Sequence, residues 1–171
     1  MSDRVPPLPE IITRALDSLR AAGLPPELRA EFVPAHTRLM IPRRAAVIPR
    51  GEVWRLGSLL LGPDGDLYET GEVVRASEPG WPGHQSVLAE QRREYRSAAQ
   101  RAKIAPGTVI NLGWTPIDQD PEALAASPGA LFLRDGEPLV RWVPGNDAAA
   151  IGLGAYLDER IELLAHAHPR D

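Results

Sequence analysis

The sequence has no cysteine among its 171 residues. This absence excludes disulfide bonds, thiolate zinc sites, iron–sulfur ligation and cysteine nucleophiles. Lysine is nearly absent as well, since Lys103 is the only one and the other basic residues are arginines. We interpret the arginine bias as the mark of a GC-rich genome rather than as a need for guanidinium forks.

Long apolar segments are missing too. No stretch approaches the ~20 apolar residues that span a bilayer, and the N-terminal residues lack the uninterrupted apolar core of a signal peptide. We therefore expect a cytoplasmic protein with no membrane partner.

Cofactor and metal motifs are also missing. The sequence has no GxxxxGK[ST] phosphate loop, no GxGxxG after a predicted strand and no HExxH pair. Its histidines are too irregularly spaced to pair as metal ligands; they are His36, His84, His166 and His168. We predict neither a cofactor nor a metal site.

The overall composition is ordinary for a globular protein. Apolar residues make up 43% of the chain, charged residues 25%, and the net charge is -4. A chain of this size buries enough surface for one continuous core, so we predict a single globular domain over residues 1–171. The negative net charge argues against nucleic acid as the partner.

The first half of the chain predicts a helix, a strand, a hairpin and a second helix. Apolar residues at helical spacing indicate a helix over Pro9–Ala22. Ala30–Ile41 is typical of a strand that Pro34 interrupts, which predicts an edge or bulged position. The remaining elements are a hairpin of Glu52–Leu61 with Leu67–Ala76 across the turn Gly62–Gly65, and a helix over Ser86–Lys103.

The second half repeats this order. Thr108–Trp114 predicts a strand, and Asp118–Gly129 a polar loop or a short helical turn. A second hairpin crosses Asp135-Gly136, with strands Ala130–Arg134 and Glu137–Val143, and an edge at Pro138. A C-terminal amphipathic helix has its apolar stripe at Leu153, Tyr156, Leu157, Ile161 and Leu164.

These elements define an α+β fold. We predict an antiparallel β-sheet built from hairpins, with an N-terminal, a middle and a C-terminal helix packed on it. The alternative is a loosely duplicated strand-hairpin-helix unit, although the two halves share few residues.

The loop 77–85 is the first candidate site, because it joins a strand to the start of a helix. In the functional interpretation, Trp81 covers a ligand, His84 exchanges a proton, and backbone N–H groups after Ser86 hold an anion. In the structural interpretation, Trp81 plugs the edge of the core and Ser86 is an N-cap.

Glu72 is a second candidate. It lies with Glu69 on the returning strand of the first hairpin, opposite Arg55. Because positions 69 and 72 face opposite sides of a regular strand, they do not form an acid–base pair. A buried Glu72 beside an arginine is a candidate base, and Arg55 a candidate ligand contact; a cross-strand ion pair is the alternative.

The arginines of the 86–103 helix do not predict nucleic-acid binding. Glu90 and Glu94 alternate with them at helical spacing, which is typical of a mixed solvated face or a dimer contact.

The segments GEVWRLGSLLLGPDGDLYETGEVVR and LGAYLDERIELL resemble small bacterial proteins labelled glutaminase. The resemblance implies amide hydrolysis and carries no functional residues with it. Glutamine hydrolysis by the familiar routes needs a Ser-x-x-Lys pair or a Cys-His site. Neither is present, because Ser97 is followed three positions later by Gln100 and there is no cysteine.

Two functional hypotheses follow. The first is a small-ligand or protein-interaction module without conventional catalysis, self-associating as a homodimer through a sheet edge or a helix face and taking a small anionic ligand. The second is a hydrolase of an amide or another small anionic substrate that uses His84 and Glu72. The absence of a recognisable nucleophile and cofactor motif favours the first.

Overall fold

A computed structural model describes residues 6–76, 87–143 and 145–168 of the chain. Its contacts divide the chain into two compact units, and each unit is assembled from separate segments. The first unit comprises Met1–Pro26, Trp54–Glu69 and Thr115–Asp171; the second comprises Glu27–Val53 and Thr70–Trp114. A duplicated strand-hairpin-helix unit would divide the chain into two successive halves. The observed units do not follow that division, because their segments interleave along the sequence.

Within the residues that the structure describes, the second unit is a mixed sheet with one helix. Its strands are β1 (Glu27–Val33), β2 (His36–Arg38), β3 (Ile41–Arg43), the larger part of β4 (Ala46–Leu56), β7 (Glu72–Arg75) and β8 (Val109–Leu112), and its helix is α2 (Val87–Arg101). The order in the sheet is β7-β8-β1-β4, with β1 parallel to β8 and the other neighbours antiparallel. Strands β2 and β3 form a separate two-stranded hairpin.

The predicted strand Ala30–Ile41 is wrong in its extent and its place. β1 ends at Val33, before Pro34, and pairs on both sides, so it is not an edge strand. The proline lacks an N–H to donate, and here it terminates the strand instead of interrupting it. A register shift at Arg29/Ala30 places the irregularity earlier than expected.

Apolar residues on the sheet and α2 form the core of the second unit. Tyr95, Ala98 and Ala99 of α2 are buried, and the centroid of the Tyr95 ring lies 4.5 Å from that of the Phe32 ring on β1, in an edge-on arrangement. Gln91 of this helix and Ala102, just after it, are exposed. The small side chains of Ala98 and Ala99 belong to the same cluster of buried residues as Val74 and Ile110 of the sheet.

The first unit contains three helices and short strands within the described residues. The helices are α1 (Leu8–Ala21), α3 (Pro121–Ala125) and α4 (Leu153–Ala167); the strands are the end of β4, then β5 (Leu59–Leu61), β6 (Leu67–Glu69), β9 (Thr115–Pro116), β10 (Leu131–Arg134), β11 (Glu137–Val140) and β12 (Ile151–Gly152). β4, β5, β6 and β9 are neighbours in that order, and β10-β11-β12 form a second small sheet. The predicted short helical turn is α3, which Asp120 caps through its side chain.

The first predicted hairpin is partly correct. Gly65 adopts a φ of +94° and donates its N–H to the Gly62 carbonyl at 3.0 Å, which confirms the turn. However, this turn joins β5 to β6, because β4 already reverses at Gly57 and Ser58. The predicted return strand Leu67–Ala76 is also divided, into β6 and β7.

The predicted stripes of α1 and α4 form the core of the first unit. On α1 the buried residues are Ile11, Ile12, Ala15, Leu16 and Leu19; on α4 they are Leu153, Tyr156, Leu157 and Ile161. Trp54 is buried with them and donates its indole N–H to the Leu24 carbonyl at 2.8 Å. These helices and their hydrophobic faces follow the apolar periodicity of the sequence.

The second predicted hairpin is confirmed. Asp135 and Gly136 both have positive φ, at 53° and 81°, and Arg134 pairs with Glu137. β12 pairs with Leu139 and Val140 of β11. The molecule is therefore an α+β protein, as predicted, and none of its described helices is long and apolar enough to cross a bilayer.

Candidate functional site

The predicted loop site lies outside the described residues. Trp81, His84 and Ser86 all fall in the range 77–86, so their roles stay predictions. The described residues contain no group of three or more His, Asp or Glu side chains that could hold a metal ion. His36, His166 and His168 each bring Nδ1 within 3.1 Å of a backbone carbonyl oxygen.

Glu72 is not the buried base that the hairpin pattern predicts. It is exposed at the start of β7, opposite Leu112, and its carboxylate lies near the Tyr95 hydroxyl group of α2. Gln91 Nε2 donates to the same hydroxyl oxygen at 2.7 Å. Burial raises the pKa of Tyr95, and the Glu72 carboxylate raises that pKa further. This cluster holds the Tyr95 ring against Phe32.

Arg55 lies on β4 in the other unit. It pairs with Leu60 of β5 and is half-buried. The residues predicted from one hairpin are thus distributed over two units, because β6 and β7 do not continue each other. An open groove runs along α1, and its lining comes from that helix alone, with Glu10, Arg14 and Asp17 among the charged residues.

The most unusual surface is the β2–β3 hairpin, which we call the 36–43 hairpin. Every residue from 34 to 44 is exposed. Three large apolar side chains stand at its tip: Leu39 is 87% exposed, Met40 95% and Ile41 56%. Isolated exposed apolar residues are common on proteins, but a contiguous group marks an interaction surface.

The backbone of this tip is strained. Leu39 and Met40 form its two-residue turn, and both have positive φ, at 51° and 63°. Left-handed conformations cost an L-residue with a bulky side chain roughly 1–2 kcal/mol. Turns of this shape therefore favour Asn-Gly or Asp-Gly. The same chain uses Asp135-Gly136 in its other two-residue turn with positive φ values.

The hairpin is basic. Arg38, Arg43 and Arg44 are exposed, and no acidic residue occurs between positions 34 and 49. Antiparallel pairing places His36 opposite Arg43 and Arg38 opposite Ile41. Because side chains alternate between the two faces of a strand, these four residues share one face, and Thr37 and Pro42 lie on the other.

The base of the hairpin is fixed in the core of the second unit. Below it, Val33 pairs with Ala46 and Phe32 with Val47. Arg101 of α2 donates from Nη2 to the Ala45 carbonyl at 2.6 Å. Ala45 and Val47 are buried, so the hairpin projects from an ordered root.

Sequence reasoning missed this site. The residues Arg38, Leu39, Met40 and Ile41 were assigned to the end of the strand Ala30–Ile41, because apolar and β-branched residues favour strands. The sequence signal for the hairpin was the apolar triplet Leu39-Met40-Ile41, which lies between Arg38 and Arg43 and is followed by a proline. It contains neither Gly nor Asn, which are the usual turn markers.

The sequence matches no known family model, and no curated protein or solved structure matches it. The resemblance to proteins labelled glutaminase therefore gains no support from these comparisons. The function has to be inferred from the chain's own residues.

Proposed function

We propose that this chain is a protein-interaction module that docks on a partner protein through the 36–43 hairpin. The observation that carries the proposal is the tip, where Leu39 and Met40 occupy strained positive-φ positions while their side chains face solvent. Buried residues can recover such a cost through packing, but exposed residues cannot.

Other residue types would form the turn at positions 39 and 40 at a lower conformational cost. An Asp-Gly or Asn-Gly turn would form the same hairpin without the strain and without exposing apolar surface. Backbone strain and local violations of sequence preference concentrate at functional positions. A partner that buries the Leu39, Met40 and Ile41 side chains would supply the free energy that the isolated turn lacks.

The composition and anchoring of the hairpin suit a protein partner. Methionine and arginine are enriched at protein interfaces; Met40 is one of the tip's apolar residues, and Arg38 is adjacent to them in the sequence. The paired root at Val33 and Ala46 orders the hairpin before binding. Such preorganisation reduces the conformational entropy lost on association.

The distribution of methionine offers a direct test. The chain has two methionines, Met1 and Met40. Replacing methionine with a diazirine analogue of similar shape, such as photo-methionine, would place a photo-crosslinker at the tip of the hairpin. Extract from the native cells, illuminated with the labelled protein, should yield a discrete protein adduct through position 40.

The Met40→Leu variant provides the matched control. It keeps an apolar tip and carries the crosslinker only at Met1, so the adduct should disappear from this sample. An adduct of equal yield from Met40→Leu, or no adduct from either protein, would contradict docking through the hairpin.

A further inference from the structure

We infer that the partner's groove is acidic on the wall that receives the face of the hairpin carrying His36, Arg38 and Arg43. This inference rests on the proposed function, and it specifies the partner's chemistry: a protein groove with an apolar floor for Leu39 and Met40 and carboxylates along one side.

The first argument is local charge. The segment 34–49 carries three arginines and no acidic residue, within a chain whose net charge is -4. Glu31, the nearest preceding acid in the sequence, binds Arg50 at 2.6 Å. Arg101 also donates to the root of the hairpin at Ala45, which adds a further guanidinium there. The hairpin is therefore a basic feature of an acidic chain, and complementary potentials guide association.

The second argument is the asymmetry between the two faces. His36, Arg38 and Arg43 share a face with Ile41, whereas Thr37 and Pro42 occupy the opposite face. A groove has two distinct walls, and this arrangement matches one acidic wall and one neutral wall. A lipid surface penetrated by the tip would present the same headgroups to both faces, so it would not select a one-sided pattern.

The same charges argue against pairing between two copies of the hairpin. An isologous contact through the face that carries Arg38 and Arg43 would bring these arginines against their counterparts, and like charges at an interface are strongly unfavourable. The basic face therefore favours a different protein over a symmetric dimer of hairpins.

Charge reversal in the crosslinking experiment tests this inference. With photo-methionine at position 40, the yield of the adduct should fall about tenfold in Arg38→Glu/Arg43→Glu, and it should also fall as salt rises from about 0.05 M to about 0.5 M. Arg92→Glu/Arg93→Glu makes the same charge change on exposed positions of α2 and should change the yield less than about twofold. Arg38→Gln/Arg43→Gln, which only removes the charge, should give an intermediate yield and serves as a second variant if the reversal impairs folding.

The adduct itself provides the second readout. Mass spectrometry of the crosslinked partner peptide should find Asp or Glu beside apolar residues; a partner site without acidic residues would overturn the inference. A tip-dependent protein adduct that is insensitive to Arg38→Glu/Arg43→Glu and to salt would overturn the acidic groove while leaving hairpin docking intact. A lipid adduct, or an adduct between two copies of the chain, would overturn the assignment of the partner. An adduct yield that does not depend on photo-methionine at position 40 would contradict the proposed function itself.

Discussion

The Tyr156 hydroxyl group accepts the backbone N–H of Ser58 at 2.8 Å, across 98 positions of sequence. The same hydroxyl donates to the Leu56 carbonyl at 3.1 Å, so one buried side chain of α4 binds both sides of the tight turn between β4 and β5. Tyr156 is 1% exposed. This contact joins the C-terminal helix to the point where β4 reverses.

Replacing Tyr156 with Phe should lower the free energy of unfolding by about 2 kcal/mol, because two backbone groups of the turn lose their partner in a buried environment. Ser58→Ala provides the comparison. It removes the Ser58 Oγ contact at 3.0 Å but keeps the N–H bond, so it should cost about 1 kcal/mol or less. Urea unfolding measures both variants. Equal losses of unfolding free energy in the two variants would show that the hydrogen bonds of Tyr156 to the Ser58 N–H and the Leu56 carbonyl do not contribute more than the Ser58 Oγ contact.

Gly57→Ala should be more damaging than Gly136→Ala. Both glycines have positive φ, at 65° and 81°, and so share the conformational cost of an L-residue in this region. A Cβ atom at Gly57 would also lie 2.2 Å from the Tyr156 hydroxyl oxygen, whereas a Cβ at Gly136 would meet nothing within 4 Å. We expect a loss of about 1 kcal/mol at Gly136 and of at least about 3 kcal/mol at Gly57. Comparable thermal midpoints for the two variants would contradict this packing.

The elements that the sequence predicts well depend on local signals. The stripe on α1 and the Asp135-Gly136 turn are recognisable because helical periodicity and positive-φ preferences act within a few residues. The fold class follows from the order of such elements.

The errors have three different origins. The turn at Gly57-Ser58 was missed although Gly-Ser between two apolar runs is a local signal for a two-residue turn, because the predicted strand Glu52–Leu61 was continued to the turn Gly62–Gly65. Its contact with the Tyr156 hydroxyl group, 98 positions from Ser58, has no local signal. Glu72 was assigned to the same strand as Glu69, but β6 and β7 are separate strands and Glu72 is exposed. The 36–43 hairpin was missed because Leu39-Met40 contradicts the turn preferences on which sequence reasoning depends.

Asp147 should make stability depend on acid pH. A hydrogen bond from Arg141 lowers the pKa of this carboxyl group, and the charges of Arg141 and Arg134 act in the same direction. Because the pKa is lower in the folded than in the unfolded state, the stabilisation is present above the unfolded value of about 3.9 and is lost as pH falls through the folded pKa. Asp147→Asn should therefore lower the thermal midpoint at neutral pH, with a difference that shrinks in acid.

A double-mutant cycle identifies the cause. In an Arg141→Met background, Asp147→Asn should have a smaller effect at neutral pH, since the main partner is already absent. An undiminished effect, or a difference between wild type and Asp147→Asn that persists at the lowest pH, would rule out this pair as the origin.

The strained tip predicts that weakening the docking surface strengthens the fold. Leu39→Asn/Met40→Gly installs the preferred turn residues and removes exposed apolar surface, so the thermal midpoint should rise by about 2–4 °C. The converse variant, Asp135→Leu/Gly136→Met, should lower the thermal midpoint. A lower thermal midpoint for Leu39→Asn/Met40→Gly would show that the Leu39 and Met40 side chains stabilise the unbound protein. That result would contradict the view that they serve to bind a partner.

Competition at the tip tests the central claim most directly. Unlabelled wild-type protein and unlabelled Leu39→Asn/Met40→Gly are each added in excess to protein carrying photo-methionine at position 40, before illumination in the native extract. We predict that the wild type suppresses the adduct and that the variant, although folded and at least as stable, does not. Equal suppression by both proteins would show that the partner does not recognise the apolar tip, and would contradict docking through the 36–43 hairpin.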